Sequence, residues 1–329
     1  MDNSGLDDLG PGFWSGSTGM LNYVARTDVL DPGDLTGPFL GGQAVSEGWL
    51  SKEQLYSPLF RRLFHRVHVP AGIPLTHELR CAAAALVAPP DAVLTGCSAA
   101  VVRGFGLVTE REPVEFIVPE RARFIAQRGM HIRRTKYPDI DSEPWRDIGL
   151  ATPLRMAFDI LINTRLHRSL PRVVGLLDVL VRGGAVDLAA LATFVKRRHD
   201  HGVVRARKAL ELADSRAESI PESELRVWLR LGGLEPEVQF EVYERGLFLG
   251  RLDLAFPRCK LAVEYDGEWH GEGDQPRLDA ERRARMRAVG WDFVVVTKDQ
   301  LYGDPAGVVD LVRDQLARKR AHFRDRRRG

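Results

Sequence analysis

The sequence predicts a multidomain protein of mixed α+β and α/β class. Three observations carry this. The chain has 329 residues, more than one compact core usually organises. Its middle is dominated by amphipathic runs with helical spacing. Its last third switches repeatedly between helical and strand periods, in the order αβββαβ.

Composition sets limits before any motif is read. A hydrophobic share of 44% with 28% charged residues is that of a globular protein, which excludes a wholly disordered chain. The net charge is +2, so nucleic-acid binding would require local segregation of charge. Arg far outnumbers Lys, as expected either of a GC-rich genome or of Arg used on phosphates. Cys81, Cys97 and Cys259 lie far apart without C-x-x-C spacing, so neither a zinc knuckle nor a disulfide framework is indicated. No apolar run approaches the roughly 18 residues of a membrane span, and the acidic start lacks a basic signal-peptide region. The expected location is cytoplasmic, with no membrane partner.

Residues 1–26 are rich in Gly, Ser, Asn and Asp and are expected to form a flexible leader. Residues 27–72 follow with a helical signal from Phe39 to Trp49, broken at Gly48, and then Ser51 and Gln54 spaced as a capping box. Leu55, Leu59, Phe60, Leu63 and Phe64 read as the apolar face of that second helix, and Val67 to Pro70 as a short strand. Helix, turn, helix and strand is a winged-helix-like order, with Arg61, Arg62 and Arg66 near a phosphate backbone. A small helical cap packed on the next domain is the other reading.

Residues 73–218 form the expected middle domain, α+β passing into a helical bundle. Leu75 to Val87 is amphipathic and ends at Pro89-Pro90, and Ser98 to Gly104 is a shorter helix. Val114 to Val118 is a buried-type strand, and Met130 to Arg134 alternates as a second. Pro153 suits the first helical position after a Thr152 cap, for a helix running to about Asn163. Helices are expected at Leu170 to Arg182, Asp187 to Arg197 and Val203 to Asp214. His199 and His201 fall in a polar loop and read as a solvated turn.

Residues 219–320 carry the αβββαβ pattern: helix Glu222 to Arg230 stopped by Gly232-Gly233, strands Val238 to Val242, Leu249 to Phe256 and Lys260 to Tyr265, helix Pro276 to Val289, strand Phe293 to Thr297, and helix Pro305 to Arg320. Residues 321–329 are a basic tail. The informative stretch is Leu252 to His270, two apolar strands around a turn at Pro257-Arg258, each interrupted by a carboxylate. On alternating faces Lys260, Ala262, Glu264 and Asp266 share a side, and a hairpin can bring Asp253 opposite Glu264. Carboxylates converging on one spot suit a hard cation, Mg²⁺ or Mn²⁺, which takes one or two of them plus phosphate oxygens.

Asp253, an intervening turn and Glu264 at the end of an apolar strand resemble the PD-(D/E)XK nuclease superfamily. Leu252-Asp253-Leu254-Ala255, then Ala262-Val263-Glu264-Tyr265-Asp266-Gly267 and His270, resemble more narrowly a bacterial domain similar to very-short-patch repair endonucleases. The resemblance implies a restriction-endonuclease-like fold, with Asp253 and Glu264 as metal ligands and an acid on the preceding helix, Glu222 or its competitor Glu224. In that superfamily a Lys lies two positions after the Glu. This chain has Asp266 there, so either Lys260 takes the Lys role or Asp266 is an extra ligand. His270 would protonate the leaving oxygen or position water. Trp269 would stack on a base, and Gln239 would line the site. Arg277, Arg282, Arg283 and Arg285 on the following helix would engage DNA phosphates. The N-terminal half resembles antitoxin-like proteins of type IV toxin–antitoxin systems, which implies a partner protein. Two functions follow: a metal-dependent endonuclease, or a non-catalytic DNA-binding regulator on a degenerate nuclease fold.

Overall fold

The computed structural model describes residues 35–136, 139–267 and 275–325. They form a mixed α+β architecture with three separate sheets.

The first sheet is small. Strand β1 (Phe39–Leu40) leads into α1 (Gly41–Ser46) and α2 (Lys52–Leu55), followed by the hairpin β2 (Phe60–Phe64) and β3 (Val67–Pro70). The strands lie antiparallel in the order β1-β3-β2. Ser51 Oγ accepts from the Gln54 amide at 3.1 Å while Gln54 Oε1 accepts from the Ser51 amide at 2.7 Å, so the capping box closes both ways. Phe60 to Phe64 corrects the sequence expectation: it is strand, not a continuation of helix. Pro58 ends the helical turn, because its ring disfavours helical geometry in the residue before it. Phe60 is then buried with Phe39, Ala44, Leu50 and Leu55.

The central unit comprises α3 (His77–Ala85), β4 (Val93–Leu94), α4 (Gly96–Val102), β5 (Val114–Val118), β6 (Met130–Arg134), β7 (Ser142–Trp145) and β8 (Ile148–Ala151). It continues with α5 (Pro153–Ile162), α6 (Leu170–Arg182), α7 (Leu188–Lys196) and α8 (Val203–Leu212). Its five strands run β6-β5-β4-β8-β7. β5 is buried along its whole length, as an apolar run between helices should be. Pro153 opens α5 as expected, but the Thr152 side chain makes no capping hydrogen bond. Asp187 does cap α7, accepting from the Ala190 amide at 2.7 Å.

The last unit contains α9 (Ile220–Leu231), β9 (Glu237–Glu244), β10 (Leu247–Phe256), β11 (Leu261–Asp266), α10 (Gln275–Ala288), β12 (Asp292–Thr297), α11 (Lys298–Gly303) and α12 (Pro305–Asp325). The sheet order is β12-β11-β10-β9, with β11 parallel to β12 and the other pairs antiparallel. Helices cover both faces. Leu225 and Leu229 of α9 join Val309, Val312 and Leu316 of α12 over Leu254, Leu261 and Val263. Met286 of α10 and Trp291 pack over Leu252, Ala255 and Ala262 on the other side. α9 also packs on α6, where buried Arg226 pairs with buried Asp178 at 2.7 Å, so this helix belongs to two cores at once.

Candidate active site at the β10–β11 carboxylates

Lys260 turns the chain between β10 and β11 at a left-handed φ of 46°, directly after a single 3-10 turn at Pro257–Cys259. The hairpin pairs Leu254 with Val263, Ala255 with Ala262 and Phe256 with Leu261. The ladder ends at the Leu254–Val263 pair, and Asp253 and Glu264 are the next residues along β10 and β11.

On the other side of β10 the ladder pairs Leu252 with Phe240 and Leu254 with Val238. Between them stands Gln239, a non-glycine residue at a φ of 53°, a conformation disfavoured by about 1 kcal/mol or more. Leu252 belongs to the α10 side of the sheet and Leu254 to the α9 side, although simple alternation would put both on one face. The sheet is thus irregular where Asp253 sits.

Glu264 is buried, and both its oxygens are engaged. Arg282 Nη1 donates to Oε1 at 2.9 Å and Arg283 Nε donates to Oε2 at 2.8 Å. α10 supplies both arginines from consecutive positions on its sheet-facing side. Asp253 is different: it is partly buried and, among the described residues, neither accepts a hydrogen bond nor joins an ion pair. Burial, reinforced by the negative charges of Glu222 and Glu264, raises its carboxyl to about 7, against the opposing pull of Arg282.

Glu222 reaches this cluster from the first turn of α9. Its Oε1 accepts from Ser219 Oγ at 2.8 Å, and its Oε2 accepts from the Glu218 amide at 2.9 Å and from Gln239 Nε2 at 3.3 Å. It therefore closes the helix N-terminus and faces Asp253 at once. Glu224 points elsewhere, toward Arg172 at 3.6 Å and Tyr302.

The remaining candidates divide. Asp266 ends β11 and is exposed, two residues beyond Glu264. Lys260 is not brought to the carboxylates. It precedes the opposite end of β11 and its Nζ donates to the Val289 carbonyl at 2.7 Å. Arg277 is exposed and pairs with Glu281 at 2.6 Å; Arg285 is exposed. Trp269 and His270 lie outside the described residues, as do residues 326–329 of the expected basic tail, whose residues 321–325 instead continue α12. His199 and His201 are exposed in a turn.

A second polar group, unseen in the sequence, lies in the central unit. Cys97, Glu115 and His167 bring one donor atom each within 4.8 Å of one another. Seventy residues separate the first from the last, with no local spacing to reveal them.

The chain is 33% identical over 153 residues to two uncharacterized proteins of Mycobacterium tuberculosis, from strains CDC 1551 / Oshkosh and ATCC 25618 / H37Rv. The match covers 46% of this chain and 56% of each relative, so it spans about half the length of the curated relatives. No family model matches, and no solved structure matches.

Proposed function

We propose that the chain is an endonuclease-like protein that hydrolyses phosphodiester bonds in DNA, with Asp253 and Glu264 as ligands to Mg²⁺ or Mn²⁺. The observation that carries this is that the charges of Glu222, from a helix, and Glu264, from the next strand, act on the half-buried Asp253 carboxyl, which among the described residues has no hydrogen-bond or ion-pair partner. The resemblance to the PD-(D/E)XK superfamily supports it, as does the observed order α9-β9-β10-β11-α10-β12.

The donor set fits a hard cation, because every donor is a carboxylate oxygen and Asp253 accepts no hydrogen bond among the described residues. When bound, the metal polarises a phosphate oxygen and lowers the pKa of a bound water. The residues of the chain do the rest. Glu222 is fixed by the Ser219 hydroxyl and the Glu218 amide, so it offers a preset charge beside Asp253. Arg282 and Arg283 neutralise Glu264 and hold it between α10 and the sheet. The exposed Arg285 and Arg277 on the same helix supply the positive surface that a phosphate backbone approaches. Asp266 and His270 remain candidates for an extra ligand and for the leaving-group proton.

The N-terminal unit, in this proposal, is winged-helix-like and also meets DNA. Its β1-β3-β2 sheet presents exposed Arg62 and Arg66 in and beside the β2–β3 turn. Arg61 is instead held by the Ile73 carbonyl.

A second reading has its own support. Both Glu264 oxygens are taken by arginines, and Lys260 is directed at Val289, which suits a DNA-binding or antitoxin-like regulator that keeps the fold without chemistry. Incubation with supercoiled plasmid and with single-stranded and mismatched oligonucleotides, in Mg²⁺, Mn²⁺ or EDTA, separates the two. Cleavage that requires the metal supports the nuclease. DNA binding that is indifferent to EDTA, with no cleavage of any of the three substrates, supports the regulator.

A further inference from the structure

The central unit buries a cluster that does not belong to the carboxylate site. Glu115 lies on β5, the second strand of the five-stranded sheet, and only 3% of it is exposed. Cys97 is the second residue of α4, and His167 lies in the connection between α5 and α6. Cys97 Sγ is 3.7 Å from His167 Nε2, which is 3.8 Å from Glu115 Oε1.

The framework around Glu115 is built to aim its carboxylate. The Cys97 amide donates to Oε1 at 2.9 Å, and Asn163 Nδ2 donates to Oε2 at 3.1 Å. Ser98 Oγ takes the Glu115 amide at 2.9 Å and is itself 2.8 Å from His77 Nε2. Gly96 sits at a φ of 58°, and a Cβ there would lie 2.5 Å from Glu115 Oε2. Only glycine lets α4 begin this close to the carboxylate. Yet no Lys or Arg forms an ion pair with Glu115 among the described residues, and a buried carboxylate without a full counter-charge is unfavourable by several kcal/mol.

We infer that Cys97, Glu115 and His167 bind a divalent transition ion of the zinc class. A tetrahedral ion with bonds of about 2.0 to 2.3 Å sets its donors roughly 3.3 to 3.5 Å apart, a few tenths of an ångström inside the two distances to His167, and the third pair lies within 4.8 Å. Sulfur and imidazole donors exclude a preference for Mg²⁺ or Ca²⁺, which take oxygen. The fourth position opens on a cavity of about 180 Å³, lined by these three residues together with Glu112, Leu166 and Arg172. Three protein ligands and an open position is the ligand count of zinc sites that bind an exchangeable water. Arg172, which also pairs with Glu224 at 3.6 Å, and Glu112 put opposite charges on the cavity wall. The ion supplies the positive charge that Glu115 lacks.

The full chain, stripped with chelator and dialysed, is titrated with Co²⁺ and then Zn²⁺ and followed by absorption. One equivalent of Co²⁺ should produce a thiolate-to-cobalt band in the near ultraviolet and the visible bands of a tetrahedral ion, both displaced by Zn²⁺. Cys97→Ser should abolish the near-ultraviolet band. Asn163→Ala, which removes the hydrogen bond to Glu115 and the one accepted from the Leu166 amide, should weaken binding by about 10- to 100-fold. His167→Ala, at the least buried of the three positions, should weaken it at least as much while leaving the circular dichroism spectrum intact. Asp253→Asn should leave the titration unchanged, which separates this site from the carboxylate cluster. A folded wild type without a thiolate band at equimolar cobalt, or a band that survives Cys97→Ser, would show that the three side chains are only a hydrogen-bonded network.

Discussion

Arg282 donates from one nitrogen, Nη1, both to Glu264 Oε1 at 2.9 Å and to the backbone carbonyl of Arg251 at 3.1 Å. A single guanidinium thus ties α10 to β11 and β10 together, at the level where Asp253 sits. With Arg283 on the second oxygen, both oxygens of buried Glu264 are engaged by guanidinium groups. The same carboxylate therefore holds the fold as well as the proposed ion.

Replacement of Glu264 should be felt in stability before it is felt in chemistry. Glu264→Gln removes the carboxylate shared by Arg282 and Arg283 and leaves Arg282 with Asp279 at 3.6 Å, but both arginines are about a quarter exposed and water relieves part of the loss. We expect a destabilisation of about 1 to 3 kcal/mol. Urea unfolding should show a lower midpoint with an unchanged slope.

Asp253 should behave in the opposite way, because among the described residues it holds no hydrogen-bond or ion-pair partner in place. Its folded pKa of about 7 lies above its ordinary 3.8, so the folded state holds the proton more tightly. The stability this provides is fully present below about pH 4 and is lost as the pH rises through 7. Without divalent metal, Asp253→Asn should be more stable than wild type at pH 8 by about 2 kcal/mol, after the full shift is discounted for partial exposure. The two melting curves should converge by pH 4. Added Mg²⁺ should stabilise wild type at pH 8 and leave Asp253→Asn unmoved.

Much of this site was legible in the sequence, for a physical reason. An acid inside an apolar strand is an anomaly against a strong background, and the turn at Pro257-Arg258 marks the hairpin that joins the two acid-bearing strands. The break at Gln239 was not legible, because nothing in Val238-Gln239-Phe240 demands a positive φ. Arg282 and Arg283 read in the sequence as phosphate-engaging side chains, since their inward direction toward Glu264 depends on tertiary structure. Strands β4 and β8 were missed: β4 pairs over only two residues and β8 carries Gly149. The Cys97 cluster joins three elements distant in sequence.

Lys260 provides a test of the divided candidate list. Its ammonium is committed to the Val289 carbonyl near the start of β11, not to the carboxylates. Lys260→Met should leave any metal-dependent nicking rate within about twofold of wild type, since a loss of catalytic interaction of 1.4 kcal/mol would already be tenfold. A hundredfold fall with an intact fold would show that Lys260 reaches the reacting groups after all.

The Asp178–Arg226 pair should be the strongest single link between α9 and the central unit. Both side chains are fully buried, and Arg226 Nη1 also donates to the Leu212 carbonyl at 2.6 Å. Arg226→Met leaves Asp178 buried without its cation, and we expect a loss of about 3 to 5 kcal/mol by thermal or urea unfolding. Replacing both residues with apolar ones of similar volume should recover most of it.

The most direct measurement is the rate of plasmid nicking by wild type and Asp253→Asn at saturating Mg²⁺, with DNA binding measured on the same preparations. If Asp253 holds the metal, wild type nicks only with Mg²⁺ or Mn²⁺, and the variant is slower by about a hundredfold or more while still folding and binding DNA. Wild-type nicking that persists in EDTA, or equal rates for the two proteins, would contradict a metal-dependent nuclease centred on Asp253.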